Sequence, residues 1–192
     1  VKIKLPVSLV NWLIARAQRT PYFDLEHEGS LYMQRWWLRK PPGHGAHEST
    51  YDNKKSGIGI RIHRIMRSDR GRDLHDHPWT NISIVLRGGY WEILPIYQGQ
   101  DPHFDAHAYK RIWRGPGSIV IRRAGTRHRL EVQQGRSAWS LFIMGPWQRD
   151  WGFHTPFAWV YWRNYIGLER GEDEHETRVA RDIGASGVST EG

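Results

Sequence analysis

Short alternations of apolar and polar residues dominate this chain, and one helical period stands near its start. Between positions 6 and 18, Val7, Val10, Leu13, Ile14 and Ala17 recur at helical spacing, with Pro6 and Ser8 placed as start signals. One short amphipathic helix, packed on the outside of a sheet, is expected there. Positions 24–38 carry Leu25, Tyr32, Trp36, Trp37 and Leu38, a first strand or pair of strands. Positions 56–66 then alternate, with Ile58, Ile60 and Ile62 on one face and Arg61 and His63 on the other. Such a run is a strand with one apolar and one polar face.

Strand and turn units continue from there. Asn81 to Leu86 is closed by Gly88-Gly89, and positions 90–97 form a strand broken at Pro95. Strands follow at 111–113, 118–122, 128–132 and 137–144, divided by Gly115-Pro116-Gly117, Ala124-Gly125 and Gln134-Gly135. No helical pattern intervenes, which predicts an all-β sandwich or barrel. Positions 39–55 and 98–110 read as loops, leaving His44, His47, His103 and His107 as surface residues. The Trp-rich stretch 145–165 has no clear period, and the polar tail is expected to fray. The resulting plan is a helix over 1–20, a barrel over 21–166 and a tail over 167–192.

Composition narrows this picture. A chain of 192 residues is most simply one domain, and 39% hydrophobic residues with eleven Trp is globular rather than disordered. Cysteine is absent, so thiolate ligands and disulfides are excluded and only His, Asp and Glu can hold a metal. That usage suits a reducing, cytoplasmic setting. Lys and Arg exceed Asp and Glu by 28 − 20 = 8, a charge that steers small anions. The cations are scattered without a basic, aromatic-laced block, so nucleic acid is not an expected partner. No apolar run reaches membrane-spanning length; the run at 7–14 is interrupted by Asn11 and Trp12 and followed by Arg16 and Arg19.

The candidate chemistry lies in His75 and His77, two residues apart and therefore on one face of a strand, with His128 opening a later strand as a third ligand. If His77 faces inward, Asn81 and Ser83 follow it. Tyr90 and Glu92 share one strand face and are the candidate proton donor and base, although alternation makes equally good structural residues of them. Arg61 and His63 are either a substrate clamp or a solvent-facing edge, and the edge is the preferred reading. Arg149, Trp151 and His154 could fold back as a lid with Arg149 clamping an anion, packing on the Trp cluster being the simpler alternative. Metal-bound imidazoles commonly donate to a carboxylate, and Asp73 and Asp76 are nearest in sequence; Asp76 should point away from the metal in a regular strand.

These residues resemble the cupin superfamily, whose first motif is G-x5-H-x-H-x3,4-E-x6-G and whose second is G-x5-P-x-G-x2-H-x3-N. Here His75-x-His77 is followed after three residues by Asn81 and after six more by Gly88; Gly117, Arg123, Gly125 and His128 match the second motif. Asp69 stands where the first motif begins with Gly, Asn81 replaces its Glu, and Arg123 and Val132 replace the second motif's Pro and Asn. RWW, LHDHPW and WGFH also look like small phage- or prophage-type cupins. The resemblance implies a double-stranded β-helix, or jelly-roll barrel, and a centre of three histidines plus water similar to the thiol-dioxygenase branch, which holds Fe(II) and binds substrate and O2 side by side. By the same analogy the chain is a candidate homodimer.

Imidazoles suit several divalent ions, so Fe(II) is favoured by resemblance while Ni, Zn, Mn and Cu stay open. Three functions follow: an Fe(II) dioxygenase acting on a small molecule, a sugar or sugar-phosphate isomerase or epimerase, and a non-catalytic ligand-binding or phage-associated cupin.

Overall fold

The computed structural model describes residues 1–20, 22–27, 30–41, 57–69, 71, 73–96 and 109–165. His44, His47, His103, His107 and the polar tail lie outside the described residues. The chain runs α1 (Val7–Ala17), β1 (Tyr22–His27), β2 (Ser30–Arg39), β3 (Gly59–Ile65), β4 (Leu74–His75), β5 (Asn81–Arg87) and β6 (Tyr90–Pro95). It continues through β7 (Tyr109–Arg114), β8 (Ile119–Arg122), β9 (Arg129–Glu131), β10 (Ala138–Met144), β11 (Gly152–His154), β12 (Trp159–Tyr161) and α2 (Trp162–Tyr165).

Strand pairing among the described residues is antiparallel. One wall is a six-stranded sheet in the order β1-β2-β3-β10-β5-β8. The other side holds two three-stranded sheets, β7-β6-β9 and β12-β11-β4, joined where His75 bridges His128. The all-β jelly-roll expectation and its short N-terminal helix are both met. Among the described residues no helix is long and apolar enough to cross a membrane.

The six-stranded wall buries side chains on both faces, although Ile121 at its β8 edge is 68% exposed. On its outer face Val10, Ile14 and Ala17 of α1 pack against Trp36, Ile62, Leu86 and Trp139, with the Trp36 and Trp139 rings stacked at 5.4 Å. Ile62 is wholly buried there, a contribution on the order of 1.5–3 kcal/mol. Directly opposed residues share a face. The inner face therefore presents one row of Trp37, Arg61, Phe142, Ser83 and Val120, and another of Arg35, His63, Ser140 and Val85. This corrects the edge reading of Arg61 and His63: they are 3% and 8% exposed and point into the barrel. The helix claims the isoleucine face, which leaves the polar face for the interior.

A second apolar cluster closes one end with Met33, Ile65, Val85, Tyr90, Leu130 and Val132. The N-terminal residues extend the wall, since Lys2 bridges Ser118 and the Ile3 N–H donates to the Gly117 carbonyl at 2.9 Å. Gly117 sits at φ 83°, and a Cβ there would lie 1.9 Å from the Ile3 carbonyl oxygen. Both the turn and the close approach require glycine.

Candidate metal centre

The two three-stranded sheets meet at the residues the motifs single out. His75 ends β4, His128 immediately precedes β9, and each donates its backbone N–H to the other's carbonyl at 2.9 Å. Such a reciprocally bonded antiparallel pair sends both side chains to one face. His77 follows two residues later, its carbonyl accepting the Gly125 N–H at 3.2 Å in the turn that leads to His128. Ring centroids are 4.6 Å apart for His75 and His128, and 5.1 Å for each ring to His77. One donor atom from each ring lies within 4.8 Å of the others.

Carboxylates stand behind two of the rings. Asp69 Oδ2 is 3.6 Å from His75 Nδ1, and Glu92 Oε1 is 3.3 Å from His128 Nδ1. A proton on His128 Nδ1 would face Glu92 and leave the Nε2 lone pair toward the common point, whereas Asp69 acts on His75 through its charge alone, its two oxygens accepting from the Tyr32 hydroxyl and the Leu130 N–H. Burial pushes all three imidazole pKa values down. For His128 the Arg122 charge adds to burial and the Glu92 carboxylate opposes it, leaving a value of about 4. All three rings are therefore neutral at pH 7, the state a metal requires. The Nε2 atoms of His77 and His128 are 2.9 Å apart, and two cis nitrogens at about 2.1 Å from one ion stand roughly 3 Å apart. The donor set fits a divalent metal.

Sequence proximity misidentified the supporting acids. Asp73 accepts from the Tyr165 hydroxyl at 2.9 Å. Asp76 does point away, as strand parity requires: it is fully buried, accepting the Gly152 N–H at 2.9 Å and the Trp159 indole N–H at 3.2 Å. His154 Nε2 is 3.0 Å from Oδ2, the oxygen that also accepts from Trp159, and the Arg149 guanidinium is 3.5 Å from it. Arg149 and His154 are thus gathered on Asp76, where they fasten the β11–β12 hairpin behind the centre. Trp151 stacks on Trp162 at 5.3 Å.

Tyr90 and Glu92 both face inward from β6, with exposures of 1% and 0%. Glu92 accepts from Arg114 Nε and Arg122 Nε, each at 2.7 Å, and Arg122 Nη2 is 2.6 Å away. Burial alone would raise its pKa, but the His128 hydrogen bond and the Arg122 and Arg114 charges hold it well below the usual carboxylate range. Arg122 also donates to the Tyr90 hydroxyl at 3.4 Å and to Asn81 Oδ1 at 3.5 Å. Asn81 and Ser83 are buried on the inner face of β5.

Sequence reasoning did not anticipate Asp69, Arg122, Trp79 or Phe142. Asp69 and Arg122 are single charged residues whose partners lie across strands, so only register reveals them. Trp79 and Phe142 carry aromatic rings to 6.4 Å from His77.

No family model matches the sequence, and no curated protein matches it. Among solved structures it is similar to Fe(II)-HppE with an alternative substrate (10% identity over 67% of this chain, TM-score 0.44) and spans 57% of that chain. It is similar to the polyketide cyclase RemF from Streptomyces resistomycificus (14% identity, 79% and 90% of the two chains, TM-score 0.49). It is likewise similar to an RmlC-like cupin protein from Ralstonia eutropha (15%, 81% and 88%, TM-score 0.44). Likeness at this level carries nothing about chemistry. The antiparallel barrel and its converging histidines are nonetheless the arrangement that the cupin motifs imply.

Proposed function

We propose that the chain is a cupin-type metalloenzyme whose His75, His77 and His128 hold a divalent ion, Fe(II) foremost, for a dioxygenase-type reaction on a small anionic molecule. The observation carrying this reading is three neutral, converging imidazoles, two of them backed by carboxylates. Asn81 stands where a fourth, acidic ligand would be, and its amide oxygen is taken up by Arg122. Positions around the ion are thereby left for substrate. Such an ion, when bound, supplies Lewis acidity and, if redox-active, electrons for O2.

The remaining roles belong to the chain itself. Glu92, 3.3 Å from His128 Nδ1, favours the tautomer with its proton on that nitrogen, while Asp69 stands near His75 as a negative charge fixed by Tyr32 and the Leu130 N–H. We assign Glu92 and Tyr90 positioning roles, because charged donors occupy both Glu92 oxygens and Tyr90 accepts from Arg122. An isomerase would need one of them as a free base, which makes that reading the weaker one. The chain's excess of Lys and Arg over Asp and Glu favours an anionic substrate.

Elemental analysis of the purified protein, with His128→Ala alongside, tests the reading. About one ion per chain is expected, lost in the variant, with O2 uptake by the iron-loaded protein on a substrate screen. Failure to bind Fe, Ni or Zn stoichiometrically ends it, and a metal without any turnover leaves a ligand-binding or phage-associated cupin. Homodimerisation, also proposed by analogy, is read by sedimentation.

A further inference from the structure

The β7-β6-β9 sheet turns Tyr90, Glu92 and Leu130 inward, so the residues alternating with them face out. Trp91 stands opposite Trp113 on one side and Glu131 on the other, and Ile93 stands between Arg111 and Arg129 in the same way. On this outward face lies a cavity of about 380 Å3, bordered by Trp91, Trp113, Arg111, Arg129, Glu131 and Asp69. Its size falls at the lower end of the roughly 300–1,000 Å3 of small-molecule sites. Nothing in the metal centre's chemistry calls for it.

One wall of the cavity is aromatic. Trp113 is 48% exposed, and its centroid is 5.3 Å from that of Trp91 with the rings inclined at 59°. Two glycines make room for it: a Cβ at Gly89 would lie 2.6 Å from Trp113 Cζ2, and one at Gly115 2.8 Å from its Nε1. The rest of the border is charged but balanced, two guanidiniums against two carboxylates. Glu131 accepts from Arg129 at 2.7 Å and pairs with Arg111 at 3.2 Å, while Arg111 also lies over the Trp91 ring at 4.4 Å. An anion would have to compete with Glu131 for both arginines, and a cation would meet them. A neutral ligand meets neither obstacle, and it finds donors in Arg111, an acceptor in Glu131 and both in the exposed amide of Gln133.

We propose that this cavity is a carbohydrate site, in which a pyranose ring of a neutral saccharide lies against Trp113 while its hydroxyls pair with Arg111, Glu131 and Gln133. A pyranose has the two properties the cavity asks for. Its C–H bonds form an apolar face, slightly positive and attracted to the negative face of an indole. Its rim of hydroxyls both donates and accepts, which suits a border of mixed, mutually neutralised charges. Neither the metal nor the barrel interior takes part, so the site stands whether or not the histidines hold an ion.

Maltose, cellobiose and N,N′-diacetylchitobiose are the probes, titrated into the full chain and followed by tryptophan fluorescence and the indole N–H signals in NMR. Sorbitol, which has the hydroxyls without the ring face, and inorganic phosphate are the controls. Saturable binding of at least one disaccharide is expected, with both controls about tenfold weaker or worse. Trp113→Ala should weaken it about tenfold or more, as truncating an aromatic anchor does, and Trp113→Phe should restore part of the loss. Should Trp113→Ala misfold, saturation transfer in the wild-type complex decides: stronger transfer to the C–H protons of one sugar face supports the site, and equal transfer to both faces overturns it. Failure of all three disaccharides to saturate also overturns it, as does tighter binding of phosphate. Sedimentation covers the other occupant of such a wall. A homodimer that Trp113→Ala dissociates, with no saccharide bound, overturns the site and makes this face an interface between copies.

Discussion

Replacing Glu92 by Gln removes one charge and keeps the shape, and its cost can be worked from the contacts. Glu92 is fully buried and balances Arg122, itself 4% exposed, through contacts at 2.6 and 2.7 Å. Arg114, at 2.7 Å, is 20% exposed and can turn to water. The expected loss therefore centres on Arg122, left as a buried cation without its counter-charge. Breaking one side of a buried pair costs about 3–5 kcal/mol, a large part of the roughly 5–15 kcal/mol that keeps a domain folded. Urea denaturation of metal-free protein measures it. Replacing both partners, Glu92→Gln with Arg122→Met, should recover most of the loss, because no charge is then stranded. Zinc titration gives a second readout: without the carboxylate behind His128, affinity should fall about 10- to 100-fold. A Glu92→Gln protein as stable as wild type, or a double variant no better than the single one, would refute the electrostatic account.

Three further outcomes follow from the same geometry. Burial depresses the pKa of His63, His75, His77 and His128 in the folded chain. Their stabilising effect is therefore fully present above the unfolded value of about 6.5 and is lost as pH falls toward the folded values, at up to about 1.4 kcal/mol per pH unit for each ring. Urea midpoints of metal-free protein between pH 7.5 and 5 should drop steeply, and a flat profile contradicts the burial of neutral rings. Gly117→Ala should detach residues 1–3 from the wall, seen as faster amide exchange at Ile3, because a Cβ would sit 1.9 Å from the Ile3 carbonyl oxygen; unchanged exchange there defeats the prediction. Ile62→Ala, which opens a void beneath α1, should cost about 2–5 kcal/mol in thermal or urea unfolding, and a loss below about 1 kcal/mol would mean the helix is not seated on it.

Much of the fold was legible because its strands alternate and its turns carry glycine. The two cupin motifs named the converging histidines, and strand parity foresaw that Asp76 would turn away from them. Alternation could not say which face of β3 is inside. Both faces are covered, one by α1 and one by the opposite wall, and the apolar face went to the helix. Nor could nearness in the chain find the acids behind the rings. Asp69 and Glu92 reach His75 and His128 through strand register, while Asp73 and Asp76, nearer in sequence, serve Tyr165 and the β11–β12 hairpin. That hairpin was missed because its apolar residues pack as irregular tryptophans instead of alternating.

His75 and His128 are at once the proposed ligands and the rungs that join two small sheets. An ion gripped there acts as a rivet through the barrel's second side, so filling the centre and closing the wall become one event. Hydrogen exchange should register it: amides 75 and 128 protected together when zinc is added, and first to open when a chelator strips it away.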